Sequence, residues 1–174
     1  MRIVAGRWRG RRIRPPNDTR VRPTADRVRE AWMSIVQPYL ADAHVLDLFA
    51  GSGALGLEAL SRGAASADLV EVSSAGIEAI HQNAIALGAG DAARIHRADA
   101  LRFIEKLEPG AYDVAFADPP YGHGLATRVA EHWLQVPFAT LLGVEHGRKE
   151  PMPEGNTRRY GSTAITFYHA EPGR

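Results

Sequence analysis

The chain has no cysteine in its 174 residues. That excludes disulfides, thiolate zinc sites, iron–sulfur clusters and a cysteine nucleophile before any motif is considered. Lysine is nearly absent as well: Lys106 and Lys149 are the two lysines, and the rest of the 21 basic residues are arginine. Arginine offers bidentate phosphate contacts and planar stacking that lysine lacks. No apolar run approaches the roughly 18 residues needed to cross a bilayer, and the N-terminus has no apolar stretch ahead of a small-residue cleavage site. A cytoplasmic protein without membrane association is therefore expected. The seven histidines form no H-x-x-H or similar cluster, so no metal site is expected.

What is present is an ordinary globular composition, 45% hydrophobic and 24% charged, in a length that suits one domain with a short appended arm. The net charge of +1 conceals a division. Residues 1–30 hold ten arginines against three acids, a net of +7, which leaves −6 for the remainder. A basic segment joined to an acidic body points to a polyanion on one side and a different ligand on the other. Residues 1–20 are read as the basic arm and 21–174 as the main domain.

Within the arm, Arg2–Arg14 alternates loosely around Gly6 and Gly10, the pattern of a short β-hairpin. Arg7, Arg9, Arg11 and Arg12 interleave with Trp8, a combination suited to phosphate neutralisation and to stacking on an unpaired base. Thr24 is read as the N-cap of a helix over residues 25–37 that Pro38 ends. Beyond it, strand-length apolar runs at His44–Phe49, Ala67–Val72, Ala93–Arg97, Tyr112–Ala117 and Phe138–Glu145 are separated by helical stretches at 54–62, 74–88, 100–107 and 123–135. Such alternation predicts a mostly parallel sheet covered by helices on both faces. Thr157–Tyr160 and Thr163–His169, separated by Gly161-Ser162, predict a closing antiparallel pair and bring the sheet to seven strands.

In a doubly wound sheet the ligand sits outside the carboxyl ends of the strands. After the first strand, Ala50-Gly51-Ser52-Gly53-Ala54-Leu55-Gly56 has the G-x-G-x-x-G spacing that lets backbone approach a ligand and opens a helix whose N–H groups face it. Glu71, followed by Val72, ends the second strand where an acid accepts hydrogen bonds from ribose hydroxyls. These features fit a dinucleotide as well as another adenosine-containing cofactor. Asp47 tilts the choice: a carboxylate inside the first strand repels a pyrophosphate and suits a ligand with cationic groups. S-adenosylmethionine has a sulfonium and an ammonium and no phosphate. Asp99, followed by Ala100, stands after the third strand, where it fits an adenine-amine acceptor and a helix N-cap equally.

The fourth strand runs straight into Asp118-Pro119-Pro120-Tyr121. Two prolines fix φ and remove two backbone donors, so the turn is stiff and offers carbonyls and a carboxylate as acceptors beside an aromatic ring. Acceptors next to a stacking face are what is needed to hold a planar amine-bearing base, with stacking on Tyr121 worth roughly 1–3 kcal/mol.

Together these motifs resemble the class I S-adenosylmethionine-dependent methyltransferases of exocyclic amino groups, a Rossmann-like α/β fold. More closely, Arg2–Arg12, Arg22–Glu30 and Leu46–Gly63 resemble the RsmD family over about residues 2–169. That resemblance implies a 16S ribosomal RNA guanine-N2 methyltransferase acting on guanine 966, with S-adenosylmethionine as cofactor. Its partner would be 16S rRNA, free or within an assembling small ribosomal subunit, and the protein a monomer. Asp118, Pro119, Pro120 and Tyr121 would be the catalytic group. Asp47, Ala50, Gly51, Gly53, Glu71, Val72, Asp99, Ala100, Asp118 and Thr24 would bind the cofactor. Arg7, Trp8, Arg9, Arg11, Arg12 and Tyr121 would bind RNA. One departure is Ser73, which stands where a second acid is expected after Glu71.

The missing cysteine sharpens this reading, because covalent methylation at a pyrimidine carbon needs a thiol and radical methylation an iron–sulfur cluster. The Asp-Pro-Pro-Tyr turn is equally suited to adenine N6 and cytosine N4, so guanine N2 follows from the resemblance alone. A DNA or other RNA amino-methyltransferase and an NAD-dependent oxidoreductase using the same glycine loop remain as alternatives.

Overall fold

A computed structural model describes residues 1–17 and 26–171. Seven strands form one sheet: β1 His44–Leu48, β2 Ser66–Glu71, β3 Ala93–Arg97, β4 Tyr112–Ala117, β5 Ala139–Gly147, β6 Asn156–Tyr160 and β7 Thr163–His169, in the order β3-β2-β1-β4-β5-β7-β6. The first five strands are mutually parallel, because helices α2 (Ala54–Ser61), α3 (Ser74–Leu87), α4 (Ala100–Glu105) and α5 (Leu125–Gln135) carry the chain back between them. β7 runs antiparallel to β5 and β6. The tight turn at Gly161-Ser162, with Gly161 at φ +63°, permits no parallel return.

The sheet is covered on both faces, as the near-continuous apolar strands require. One core packs α1 (Asp26–Val36), α2 and α3 against Val45, Leu69, Phe116 and Ile165. The other packs α4 and α5 against Leu46, Leu48, Ala115 and Leu142. Within the first, Trp32 of α1 is fully buried and meets Phe116 edge-on, with ring centroids 5.5 Å apart. The α-helix ends at Val36 and continues into a 3-10 turn that contains Pro38. Thr24, expected as its cap, lies outside the described residues.

The N-terminal segment differs from an appended arm. A single antiparallel bridge joins Arg2 to Arg12, flanked by Ile3–Arg11 and Ile13–Met1 backbone bonds. Ile3, Trp8 and Ile13 are buried in the same core as α1, α2 and α3, so the described part of this segment is packed into the domain. Glu58 of α2, itself buried, holds it by accepting the Val4 and Ala5 N–H groups at 2.9 and 3.1 Å.

Candidate functional site

The strand order reverses between β1 and β4, the point where doubly wound sheets bind ligands. A cavity of about 580 Å³ opens there, and its wall is built from the loops that follow β1, β2 and β4.

Strand alternation turns Asp47 of β1 toward α2, where its Oδ2 accepts the Gly56 N–H at 2.9 Å. Gly56 suits this close crossing, since a Cβ would stand 2.8 Å from Leu69 Cδ2 and force it to shift. Burial, opposed by the Gly56 hydrogen bond and reinforced by the Glu71 charge, pushes the Asp47 carboxyl up to about 8. A cation placed beside it would favour the ionised form. The loop itself is left-handed at Phe49, Gly51 and Gly53, with φ of +59°, +58° and +81°. Phe49 is the costly member, since side chains other than glycine rarely adopt that region, and it lies in the cavity wall.

Glu71 fastens this loop to the end of β2. Its Oε1 accepts the Gly51 N–H at 2.9 Å, and its Oε2 accepts those of Val72 and Ser73 at 3.0 and 2.8 Å. Ser73, which stands where an acid was expected, caps α3, its Oγ accepting the Gly76 N–H.

On the far side, the turn after β4 places Asp118, Pro119, Pro120 and Tyr121 in the wall. The Tyr121 hydroxyl donates to Glu145 Oε1 at 2.9 Å and lies 2.7 Å from Thr163 Oγ1. Its ring is therefore anchored to β5 and β7 and cannot swing freely.

The cavity thus brings together Asp47, Ala50, Gly51, Glu71, Val72, Asp118, Pro119, Pro120 and Tyr121. Gly53 stands just behind the wall as the N-cap of α2. Asp99 and Ala100 are not part of it: Asp99 caps α4, its Oδ1 accepting the Arg102 N–H at 3.0 Å. Of the residues expected to bind RNA, Arg7, Arg9, Arg11 and Arg12 are exposed. Trp8 corrects the expectation. It is 8% exposed, packed in the core, with the Arg7 guanidinium 4.2 Å above its ring, so no face is open to a base.

Four contributors, Pro15, Pro16, Asn83 and Arg29, were not singled out from the sequence. Pro15 and Pro16 line the cavity rim. Asn83 of α3 joins the N-terminal segment to the glycine loop, accepting from Arg14 N and donating to Arg14 O and Ser52 O, each at 2.9 Å. Arg29 of α1 lies in the cavity wall. Its legible signal was position, since it shares the apolar face of α1 with Trp32, Met33 and Val36.

The family described as Conserved hypothetical protein 95 matches residues 1–169. The Ribosomal RNA small subunit methyltransferase D of Escherichia coli (strain K12) is 45% identical over 72% of this chain, a match that spans 62% of that relative's length. The protein of the same name from Haemophilus influenzae is 35% identical over 97% of this chain and 91% of its own. Among solved structures, a putative methyltransferase, yhhF, from Escherichia coli superposes with a TM-score of 0.83 at 35% identity, covering 98% of both chains. Fold and cavity define an α/β protein of the Rossmann-like methyltransferase class. Within it, the chain belongs to the RsmD family, that of ribosomal RNA small subunit methyltransferase D. That membership removes the NAD-dependent oxidoreductase alternative.

Proposed function

We propose that this protein transfers a methyl group from S-adenosylmethionine to the exocyclic N2 of a guanine in 16S ribosomal RNA. The observation that carries the reading is the meeting, in one cavity, of the glycine loop after β1 with the Asp-Pro-Pro-Tyr turn after β4. The residues fit such a cofactor. The left-handed loop leaves open space where a Cβ of Gly51 would stand, and the acids Asp47, Glu71 and Asp118 suit a ligand with cationic centres and hydroxyls. Bound there, S-adenosylmethionine supplies an electrophilic methyl group on a sulfonium.

Asp47, Ala50, Gly51, Glu71 and Val72 would hold the cofactor, with Gly53 opening α2 behind them. Glu71 has accepted three backbone N–H groups and keeps part of its four-site acceptor capacity for ribose hydroxyls. Asp118 and the Pro119 carbonyl would accept the two N–H groups of the target amine, turning the nitrogen lone pair toward the cavity. That amine is a poor nucleophile because its lone pair is delocalised into the ring, so orientation is the main service the site renders, worth up to roughly 7–11 kcal/mol in well-aligned cases. Tyr121, held by Glu145 and Thr163, would stack on the base, which is extruded from its helix to reach the turn. The turn itself accepts any exocyclic amine; guanine N2 at position 966 is chosen on family membership.

The test is mass spectrometry of 16S rRNA from cells lacking the protein, complemented with wild type or Asp118→Ala. The expected result is loss of N2-methylguanosine that wild type restores and Asp118→Ala does not, its methyl transfer being slower by at least about 100-fold. Purified Asp118→Ala should still bind S-adenosylhomocysteine. An unchanged N2-methylguanosine content in the deletion strain would sink the assignment.

A further inference from the structure

Arg29 is 2% exposed, yet its guanidinium is incompletely satisfied. Its Nη2 donates to the Arg2 carbonyl at 2.6 Å. Among the described residues its buried Nε and Nη1 have no hydrogen-bond partner, and the acid beside it is Asp26, whose Oδ1 lies 3.4 Å from Nη1 on a side chain 65% exposed. A buried cation with unmade hydrogen bonds is costly, and the cost is recovered when an anion completes the set. Arg29 lines the cavity that also contains Asp47, Glu71 and Asp118. Among the described residues that line it, the other basic side chain is His123, and it is exposed.

One buried cation near the acids Asp47, Glu71 and Asp118 matches a ligand with positive centres and a single carboxylate. An RNA phosphate fits poorly, because the Glu71 and Asp118 carboxylates would repel it. We infer that Arg29 is the carboxylate-binding residue of the site, pairing through Nε and Nη1 with the carboxylate of the methionyl end of the cofactor. The inference rests on the methyl-donor reading above. Since Nη2 of the same guanidinium holds the Arg2 carbonyl, the carboxylate and the start of the N-terminal segment share one cation.

Calorimetric titration of two ligands separates this role from a structural one. S-adenosylhomocysteine carries the carboxylate, and S-adenosyl-3-thiopropylamine is the same molecule without it. Wild type should prefer the first by about 10- to 100-fold, the range of hydrogen bonds to a charged partner. Arg29→Met should erase that preference while leaving the affinity for the decarboxylated ligand within about threefold; Arg29→Lys should restore part of it. A residue that merely clamps the Arg2 carbonyl would weaken both ligands alike, and that outcome overturns the inference. If Arg29→Met does not fold, wild-type discrimination decides, and a preference below about threefold overturns it. Wild type that binds neither ligand would instead defeat the methyl-donor reading itself.

Discussion

Asp47 carries electrostatic strain within the site, since burial raises its carboxyl from 3.8 to about 8. Between those two values the folded protein holds a proton that the unfolded chain has lost. The contribution of Asp47 to stability is therefore full below pH 3.8 and is lost as pH rises through about 8. Asp47→Asn keeps an acceptor for the Gly56 N–H and removes the titration. Thermal unfolding between pH 5 and 9 should show the wild-type melting temperature falling more steeply than the variant's. Parallel curves would mean that Asp47 is ionised in the unliganded fold.

Residues such as Asp47 and Asp118 were legible because their chemistry depends on neighbours close in sequence: a glycine nine positions on, two prolines adjacent. Arg29, Asp99 and Trp8 were less so. Whether Asp99 faces a ligand or caps a helix is decided by which way the chain turns after β3, and it caps. Trp8 reads as a stacking residue among arginines until the segment is folded back onto α2.

Helix α2 organises two partners with opposite ends of its length. Its N-terminus opens from the glycine loop, while Glu58 and Ser61 near its C-terminus take the backbone of residues 4–8. Glu58 also receives Arg62 Nε at 2.9 Å, so its buried carboxylate is fully employed. The fit is close at Gly6, which sits at φ +86° and whose Cβ would collide with the Ser61 carbonyl. Replacing Glu58 by alanine leaves the Val4 and Ala5 donors unmatched and should cost about 1.5–3 kcal/mol in urea unfolding. Limited proteolysis should then cut within residues 1–17 sooner than in wild type. Unaltered stability and cleavage would mean that the segment does not depend on α2 for its place.

The element pattern itself was readable throughout the sheet, because strands buried on both faces are nearly continuous apolar runs and the helices between them carry their own periodicity. The hairpin was only partly so. Ile3, Trp8 and Ile13 lie in a short stretch broken by two glycines, and nothing local says which surface will bury them.

Across the molecule, the basic residues divide by position. Arg7, Arg9, Arg12 and Arg14 are exposed on the N-terminal segment, whereas Arg29 is enclosed in the cavity wall and Arg11 donates to the Ala86 carbonyl on α3. If the exposed set anchors RNA, Arg9→Ala with Arg12→Ala should lower affinity and flatten the log–log salt dependence by roughly 0.7–0.9 for each phosphate no longer neutralised. Both residues lie away from the cavity, so S-adenosylhomocysteine affinity should stay within about threefold. An unchanged salt slope would place the RNA elsewhere. The segment and the cavity are also physically joined, through Asn83 at the glycine loop and through Arg29 at the Arg2 carbonyl.

Local sequence was sufficient for the seven-stranded α/β architecture, the glycine loop, the two acids on neighbouring strand ends and the proline turn, because each is set by backbone preferences and periodicity over a few residues. It could not say that Glu145 and Thr163, 24 and 42 residues beyond Tyr121, would pin that ring. Nor could it show that Glu58 would hold the N-terminal segment, or that a helix arginine would enter the cavity with donors unpaired. Those outcomes depend on which distant surfaces meet when the sheet closes, and only packing in three dimensions sets which polar groups find partners.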